Sequence, residues 1–449
     1  MTPRTQDLSL RYGSAPRRLT PFFYLELSVY WFALSLLWTG MITLVLQQIV
    51  ERMAGDQKDL VLGWVLGAGA FVSTIISLIV GTYSDHSRFK GGKRRPYILT
   101  GTILTVPFLL WLAYLGSLPP SMKLVPYLAL SFCLIQFWAN VATSPYQALV
   151  PDLIPKERQG TASAYMGVGS ILGQLLSFAV CSSLIHQENG LWKVCIVLSL
   201  ALVAAALYTQ FRIVERPATD NPALQTGLIE TLKHSFTVDV KGNRDFFWLI
   251  ASRFVINLGF YTAITFIAYY ASDTLKAPEG TATKILMIAT ISGLVGNFPA
   301  GILADRVSKK LVVYVSCIVT GIAAVLFLLT SSVSVALIAA FFFGAGFGAF
   351  QAVDWALATN LLPDADEAKY MGVWHAAFTV PQVFAPLVGG LVANLFNHGA
   401  AAVWATEHFG SGFGYRVVLS LVLLYLIAGT VLIRPIRERV YLKLSENAA

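Results

Sequence analysis

Charged side chains are scarce in this sequence. Asp, Glu, Lys and Arg make up 12% of its 449 residues, 56% are hydrophobic, and the mean hydropathy is +0.66. Soluble domains carry about 25% charged residues. The chain therefore cannot bury its apolar surface by folding alone, and an ordinary soluble protein is excluded.

Several catalytic and metal-binding patterns are also missing. The sequence has no zinc-ligand spacing, no phosphate-binding Walker loop and no nucleophile elbow, so we predict neither an enzyme nor an ATP-driven pump, and no cofactor or metal. The four cysteines all fall in apolar stretches, which argues against a disulfide framework. No Asn-x-Ser/Thr sequon occurs, which fits a bacterial plasma membrane.

Long uncharged runs replace the missing charges. A helix needs about 20 apolar residues to cross a bilayer. Nine runs hold one span each: Leu27–Val50, Leu60–Ser84, Pro96–Met122, Leu124–Pro151, Gln159–Ile185, Val194–Phe211, Phe254–Ser272, Ile285–Ala304 and Val417–Ile433. Leu311–Val353, at 43 residues, holds two spans, and Tyr370–Thr406 holds one span plus a loop.

These runs predict an all-α membrane protein with twelve transmembrane helices. Six precede and six follow the polar stretch Arg212–Arg244. We accordingly predict a six-helix bundle with a basic N-terminus over residues 1–211. We predict a linker over residues 212–245. A second six-helix bundle, with a C-terminal tail, follows over residues 246–449.

Positive charge is distributed unevenly along this topology. If alternate connections lie on opposite sides, one side holds 24 of the 32 Lys and Arg residues, the other holds 7, and Arg253 lies within a span. Positive loops stay cytoplasmic during insertion. We therefore expect a multi-pass protein of the plasma (inner) membrane with both termini and the linker in the cytoplasm. The net charge of +8 then reflects topology and does not indicate nucleic acid.

The two halves repeat one another in the same order. Phe22-Phe23-Tyr24-Leu25 corresponds to Phe246-Phe247-Trp248-Leu249, and Tyr165-Met166-Gly167-Val168 corresponds to Tyr370-Met371-Gly372-Val373. After the second and eighth spans the chain reads Gly81-x-x-x-Asp85 and Gly301-x-x-x-Asp305. Parallel six-helix repeats are typical of the major facilitator superfamily, which this sequence resembles.

Within that superfamily the sequence resembles the glycoside-symporter and sucrose-carrier branch. The resemblance is carried by Ser84-Asp85-His86, Gly91-Gly92-Lys93-Arg94-Arg95-Pro96, Pro145-Tyr146-Gln147-Ala148-Leu149-Val150-Pro151-Asp152, Asp354-Trp355-Ala356-Leu357 and Pro381-Gln382. It implies a monomeric carrier of a small-molecule solute, a sugar, often moved with a proton or sodium ion. The alternatives are an exporter of another organic solute and a transport-defunct membrane sensor.

The Gly-x-x-x-Asp loops predict a cytoplasmic latch between the halves. Its members are Gly81, Asp85, Arg94 and Arg95, and in the second half Gly301, Asp305 and Arg306. Glycine permits close helix packing, and the carboxylate can pair with a basic residue or with a helix N-terminus. The alternative is that the basic residues merely satisfy the positive-inside rule.

Polar residues within spans predict the solute site. Gln136, Asn140, Thr143 and Gln147 recur every three or four residues and share one face of the fourth span. Trp38 of the first span, Asn257 and Tyr261 of the seventh and Gln382 of the eleventh complete the set. Hydroxylated sugars suit amide partners, but such residues also join neighbouring helices.

Four ionisable residues lie within spans: Glu26, Arg253, Asp354 and His375. Charge inside a membrane is costly and therefore suggests function. Spans two and four carry no charge, so the acidic cation ligands of melibiose-type carriers have no counterpart here. We expect these four residues to couple a proton or to gate, with Glu26 and Arg253 pairing across the halves. The alternative is a set of structural ion pairs.

Overall fold

The computed structural model describes residues 20–85, 87, 89, 92, 94–154, 159–215, 240, 242–304, 307–361 and 367–437. Every regular element in these ranges is helical. In the first half α1 (Pro21–Gly40) continues through a π-helical turn, Met41–Val45, into α2 (Leu46–Ala54). The other helices are α3 (Lys58–Asp85), α4 (Arg95–Ser117), α5 (Val125–Leu153), α6 (Gln159–Ile185) and α7 (Gly190–Arg212).

The second half follows the same plan. It contains α8 (Arg244–Tyr269), α9 (Thr281–Ala304), α10 (Lys309–Leu329), α11 (Val333–Leu361), α12 (Glu367–Thr379), α13 (Pro381–Asn397), α14 (Ala402–Phe409) and α15 (Phe413–Leu432). A π-helical turn, Tyr270–Thr274, extends α8.

Eleven helical stretches among the described residues are long and apolar enough to span a bilayer. The first, Pro21–Gly81, is 61 residues long and holds two crossings. The short turn Gly55–Gln57, in which Gly55 has a positive φ of 51°, reverses the chain between them. The described part of the chain therefore makes twelve crossings, and the predicted all-α membrane fold is confirmed.

Prolines divide the eleventh crossing. The helix is interrupted at Val380, between α12 and α13, and Pro381 starts the second segment while Pro386 lies inside it. Proline lacks a backbone donor and displaces the preceding turn. The break in this span falls beside the predicted site residue Gln382.

Both described termini lie at one end of the bundle, here named the terminal end. The opposite end, named the far end, carries the turn Gly55–Gln57 and the π-helical turn Tyr270–Thr274. The halves contact each other where α3 packs against α13 and α6 against α9. The α3–α13 contact is close: a Cβ on Gly63 would lie 2.5 Å from the Pro386 carbonyl oxygen.

The division at residues 212–245 remains a prediction, since 216–239 and 241 lie outside the described residues.

Candidate functional site

A buried ion pair joins two helices of the second half. Arg253 on α8 pairs with Asp354 on α11 through Nη1 and Oδ2, and their side chains are 3% and 1% exposed. The Arg253 guanidinium carbon lies 3.6 Å from the centre of the Trp374 ring and 5.5 Å from that of Phe378. The aromatic faces stabilise a cation that apolar surroundings would otherwise disfavour.

The ion pair leaves polar atoms unused. Arg253 Nε, Asp354 Oδ1 and Asn257 Oδ1 are buried and have no hydrogen-bond partner among the described residues. Asn257 uses its amide nitrogen on the Arg253 carbonyl, 2.9 Å away. Buried polar atoms without partners are rare in folded proteins and point to an unseen water, proton or ligand.

A second polar contact lies two helical turns further along α8. Gln382 on α13 donates from Nε2 to the Tyr261 hydroxyl at 3.1 Å, and the Phe378 ring meets Tyr261 edge-on with centroids 5.6 Å apart. Tyr261 and Gln382 are half-buried, so both reach accessible surface.

Residues 253, 257 and 261 recur every four positions and share a face of α8. Six residues form what we name the C-half cluster: Arg253, Asn257, Tyr261, Asp354, Trp374 and Gln382.

The polar stripe of α5 is placed differently. Asn140 accepts a hydrogen bond from Ser77 of α3 at 3.0 Å and donates to the Gln136 carbonyl at 2.7 Å. Thr143 donates to the Ala139 carbonyl of its own helix at 2.8 Å. In this conformation Asn140 joins α5 to α3, as the alternative interpretation of this stripe expects.

Two other predicted site residues give less information. Gln147 is half-buried on α5. Trp38 is partly buried and packs against the hydrophobic core. Their roles in solute binding stay predictions.

The expected pair between Glu26 and Arg253 is wrong. Glu26, 4% exposed, pairs with Arg212 at the end of α7, so this pair, like the Arg253–Asp354 pair, forms within one half. The reason is geometric: Glu26 and Arg212 lie at the same end of adjacent helices, whereas Arg253 faces α11. The side chain of His375 lies outside the described residues, and its role stays a prediction.

Part of the predicted latch forms a network at the terminal end. Arg94, 3% exposed, bonds through Nε to Asp152 Oδ2 at 3.0 Å and through Nη1 to the Ser84 hydroxyl. The backbone N–H groups of Arg94 and Arg95 donate to the two oxygens of Glu215 at 2.8 and 2.7 Å. The network thus ties α3, α4, α5 and the segment after α7 together within one half.

The rest of the latch is less defined. Gly81 lies on α3, where an added Cβ would lie 3.1 Å from the Ser144 hydroxyl oxygen, and Gly301 on α9 has open space around it. The Asp85 side chain, Asp305 and Arg306 lie outside the described residues. Whether the network acts between the halves stays a prediction.

Glu215 was missed by sequence reasoning because a lone acidic residue after a span carries no signal. Burial raises the pKa of its carboxyl, while the two backbone N–H bonds and the Arg94 guanidinium oppose that rise. Glu215 serves as the acceptor for the N-terminal N–H groups of α4. Trp374 and Phe378 were also missed, since aromatic residues in a span ordinarily indicate packing.

Removing the Glu215 carboxylate should destabilise the terminal end. Glu215→Ala leaves two backbone N–H groups without their acceptor, which costs about 1–3 kcal/mol of unfolding free energy. Thermal unfolding of the purified full chain measures the loss, with Glu188→Ala, at an exposed position, as control. Equal stability of the two variants would contradict the role given to Glu215.

Among the described residues no group of three or more His, Cys, Asp or Glu side chains is placed to hold a metal ion.

Residues 58–436 match the family described as MFS/sugar transport protein. The chain belongs to this family. It is 27% identical over 192 residues to the sucrose transport protein SUT1 of Oryza sativa subsp. japonica, an alignment covering 35% of each chain. It is 32% identical over 160 residues to human solute carrier family 45 member 3, covering 32% of this chain and 29% of that one. The aligned part of the chain thus spans about a third of the length of each of these curated relatives.

The fold matches solved transporters over nearly its whole length. A crystal structure of a D-xylose-proton symporter superimposes with a TM-score of 0.68 at 17% identity, covering 91% of this chain and 97% of that one. This likeness shows the major facilitator fold, as the sequence predicted.

Proposed function

We propose that this protein carries a sugar or glycoside across the plasma (inner) membrane by alternating access, as a monomer. The observation that carries the proposal is the C-half cluster. Its half-buried hydroxyl and amide, Tyr261 and Gln382, lie beside the aromatic ring of Phe378. The buried ion pair lies two turns of α8 away. Hydroxyl and amide groups pair with sugar hydroxyls, and aromatic faces cover the ring of a sugar.

The named relatives support the choice of solute. The rice relative is named as a sucrose transport protein and the solved neighbour as a D-xylose-proton symporter. An exporter of apolar solutes would need an apolar site, which the C-half cluster is not. A sensor would bind solute without moving it, so transport assays separate the two.

The coupling ion we propose is a proton. The Asp354 carboxylate pairs with Arg253 inside a membrane-spanning part of the second half. Its Oδ1 has no hydrogen-bond partner among the described residues. A proton on Asp354 would release Arg253 to the solute, whose hydroxyl groups can accept from the free guanidinium N–H groups. Solute and proton would then bind together.

Uptake into proteoliposomes tests the solute class. The purified full chain should exchange a labelled sugar from a panel of sucrose, maltose, glucose and xylose, and should ignore a labelled nucleoside. Gln382→Ala removes the amide that would bond a sugar hydroxyl, an interaction worth about 0.5–1.5 kcal/mol, and should raise KM about two- to tenfold with a smaller change in kcat. Gln187→Ala, in an exposed loop, is the control. Transport of the nucleoside but of no sugar would overturn the proposal.

The proposed orientation places the terminal end in the cytoplasm. Cysteine introduced at Lys276, at the far end after α8, should then react with an impermeant thiol reagent added to intact cells. Cysteine at Asp220 in the linker or at Glu446 near the C-terminus should stay unlabelled until the cells are broken. Labelling at Asp220 in intact cells would reverse the assignment.

A further inference from the structure

The far end holds a polar cluster that neither the solute site nor the latch uses. We name the far-end cluster by its members Lys58, Asp59, Asp273, Asn397 and Tyr415. Lys58 and Asp59 begin α3 in the first half, whereas the other three belong to the second half. Lys58 is 7% exposed and Asp59 is 0% exposed, so these two residues are buried where the halves meet, while Asp273 and Asn397 are half-buried.

The Asp59 carboxylate is hydrogen-bonded by two residues of the opposite half. Its Oδ1 lies 2.7 Å from the Tyr415 hydroxyl and its Oδ2 lies 3.3 Å from Asn397 Nδ2. The neighbouring Lys58 ammonium reaches Asp273 Oδ2 and Glu51 Oε1, both at 2.8 Å. Separating the halves at this end would break the contacts of Asp59 with Tyr415 and Asn397 and the contact of Lys58 with Asp273.

The Tyr415 hydroxyl lies between two carboxylates. Its oxygen is 2.7 Å from Asp59 Oδ1 and 3.2 Å from Asp273 Oδ2. A phenol has one hydrogen to donate, so it cannot serve both carboxylates. One added proton resolves the geometry: Asp59 donates to the Tyr415 oxygen, and Tyr415 donates to Asp273.

The charges around Asp59 favour the added proton. Glu51 of α2, Asp59 of α3 and Asp273 after α8 face a single cation, Lys58, whose Nζ also lies 4.4 Å from the Tyr269 ring centre. The Glu51 side chain is 50% exposed, so water screens its charge. Asp59 and Asp273 then share one cation, Lys58, and this group carries one excess negative charge when both carboxylates are ionised. The His398 ring, after α13, lies 3.9 Å from the exposed Asp56. Burying uncompensated charge is costly unless a proton neutralises it.

We propose that Asp59 is a proton-binding residue of the far-end gate, protonated while the halves are closed there and ionised when they part. As the halves close, a hydronium ion in the water at the far end transfers its proton to Asp59, so that one O–H bond breaks on the hydronium and one forms on the carboxylate. When the gate opens, Asp59 loses Tyr415 and Asn397, enters water beside Lys58, and releases the proton. This inference rests on the proposed function only in requiring alternating access. It is independent of the Arg253–Asp354 pair, which lies within one half.

The distance across the far end tests this proposal without any solute. Spin labels on Gln57→Cys and Glu407→Cys, two exposed positions in different halves, report opening in the full chain in lipid nanodiscs. The half-buried Cys133 is replaced by Ala to prevent labelling there. The ratio of open to closed molecules should rise with pH, by at most about tenfold per unit, the limit for one linked proton.

Substitutions assign the proton. Asp59→Asn should abolish the pH dependence, while Asp56→Asn, at an exposed neighbour, should leave it intact. If Asp59→Asn fails to fold, Tyr415→Phe is the second variant, and it should weaken the pH dependence because Asp59 loses its hydroxyl partner. The proposal would be overturned if the wild-type distance between the labels did not change with pH, or if Asp59→Asn kept the pH dependence of the wild type. Failure of sugar transport with this dependence intact would count only against the proposed function.

Discussion

Removing both members of the Arg253–Asp354 pair should restore the fold that either single removal damages. Arg253→Leu leaves the Asp354 carboxylate buried and unpaired. Asp354→Leu leaves the Arg253 guanidinium buried and unpaired. Breaking a buried pair in this way typically costs about 3–5 kcal/mol. Replacing the whole pair with apolar residues is often neutral or stabilising. The double variant should therefore unfold near the wild-type temperature, and both singles well below it.

Transport by the same double variant separates coupling from structure. We expect it to exchange solute down its gradient, because Tyr261 and Gln382 remain. Proton-driven accumulation should be lost, since no carboxylate remains in the C-half cluster. Uptake with and without an imposed pH gradient measures the difference. If the double variant accumulates solute as the wild type does, the pair is structural and the coupling role of Asp354 is wrong.

These residues show what a sequence reveals about such a protein. Uncharged runs are sufficient to place the crossings, because the bilayer sets one length for all of them. Arg253 and Asp354 could be predicted as important since a charge within a span is costly wherever it faces. Their pairing could not be predicted, because periodicity gives a helix face without naming its neighbour. The same limit explains why Glu26 was assigned to Arg253 when it binds Arg212.

The α5 stripe shows a related limit. Its spacing predicts one polar face, and the structure turns Asn140 of that face toward Ser77 of α3. Nothing in the sequence of α5 distinguishes a face toward the solute from a face toward a helix. The far-end cluster went unpredicted for a different reason: Lys58 and Asp59 lie at a span boundary, where charged residues ordinarily meet water.

Adding a single methyl group where α3 meets α13 should open the far end. A Cβ on Gly63 would lie 2.5 Å from the Pro386 carbonyl oxygen, and a Cβ on Gly390 would lie 2.5 Å from that of Asp59. Both obstacles are backbone atoms, which cannot rotate aside as a side chain can. Gly63→Ala or Gly390→Ala must therefore push α3 and α13 apart, and such overpacking costs about 1–3 kcal/mol.

The cost falls on the conformation in which these helices touch. If the halves separate there during transport, the closed form loses that free energy and the open form does not. The ratio of open to closed molecules should rise by a factor between about 5 and about 140. The label pair at positions 57 and 407 reports the change as a shift to longer distances. Gly167→Ala on α6, where a Cβ meets nothing within 4 Å, is the matched control. An unchanged distance in Gly63→Ala, with the protein folded, would mean that α3 and α13 stay together throughout the transport cycle.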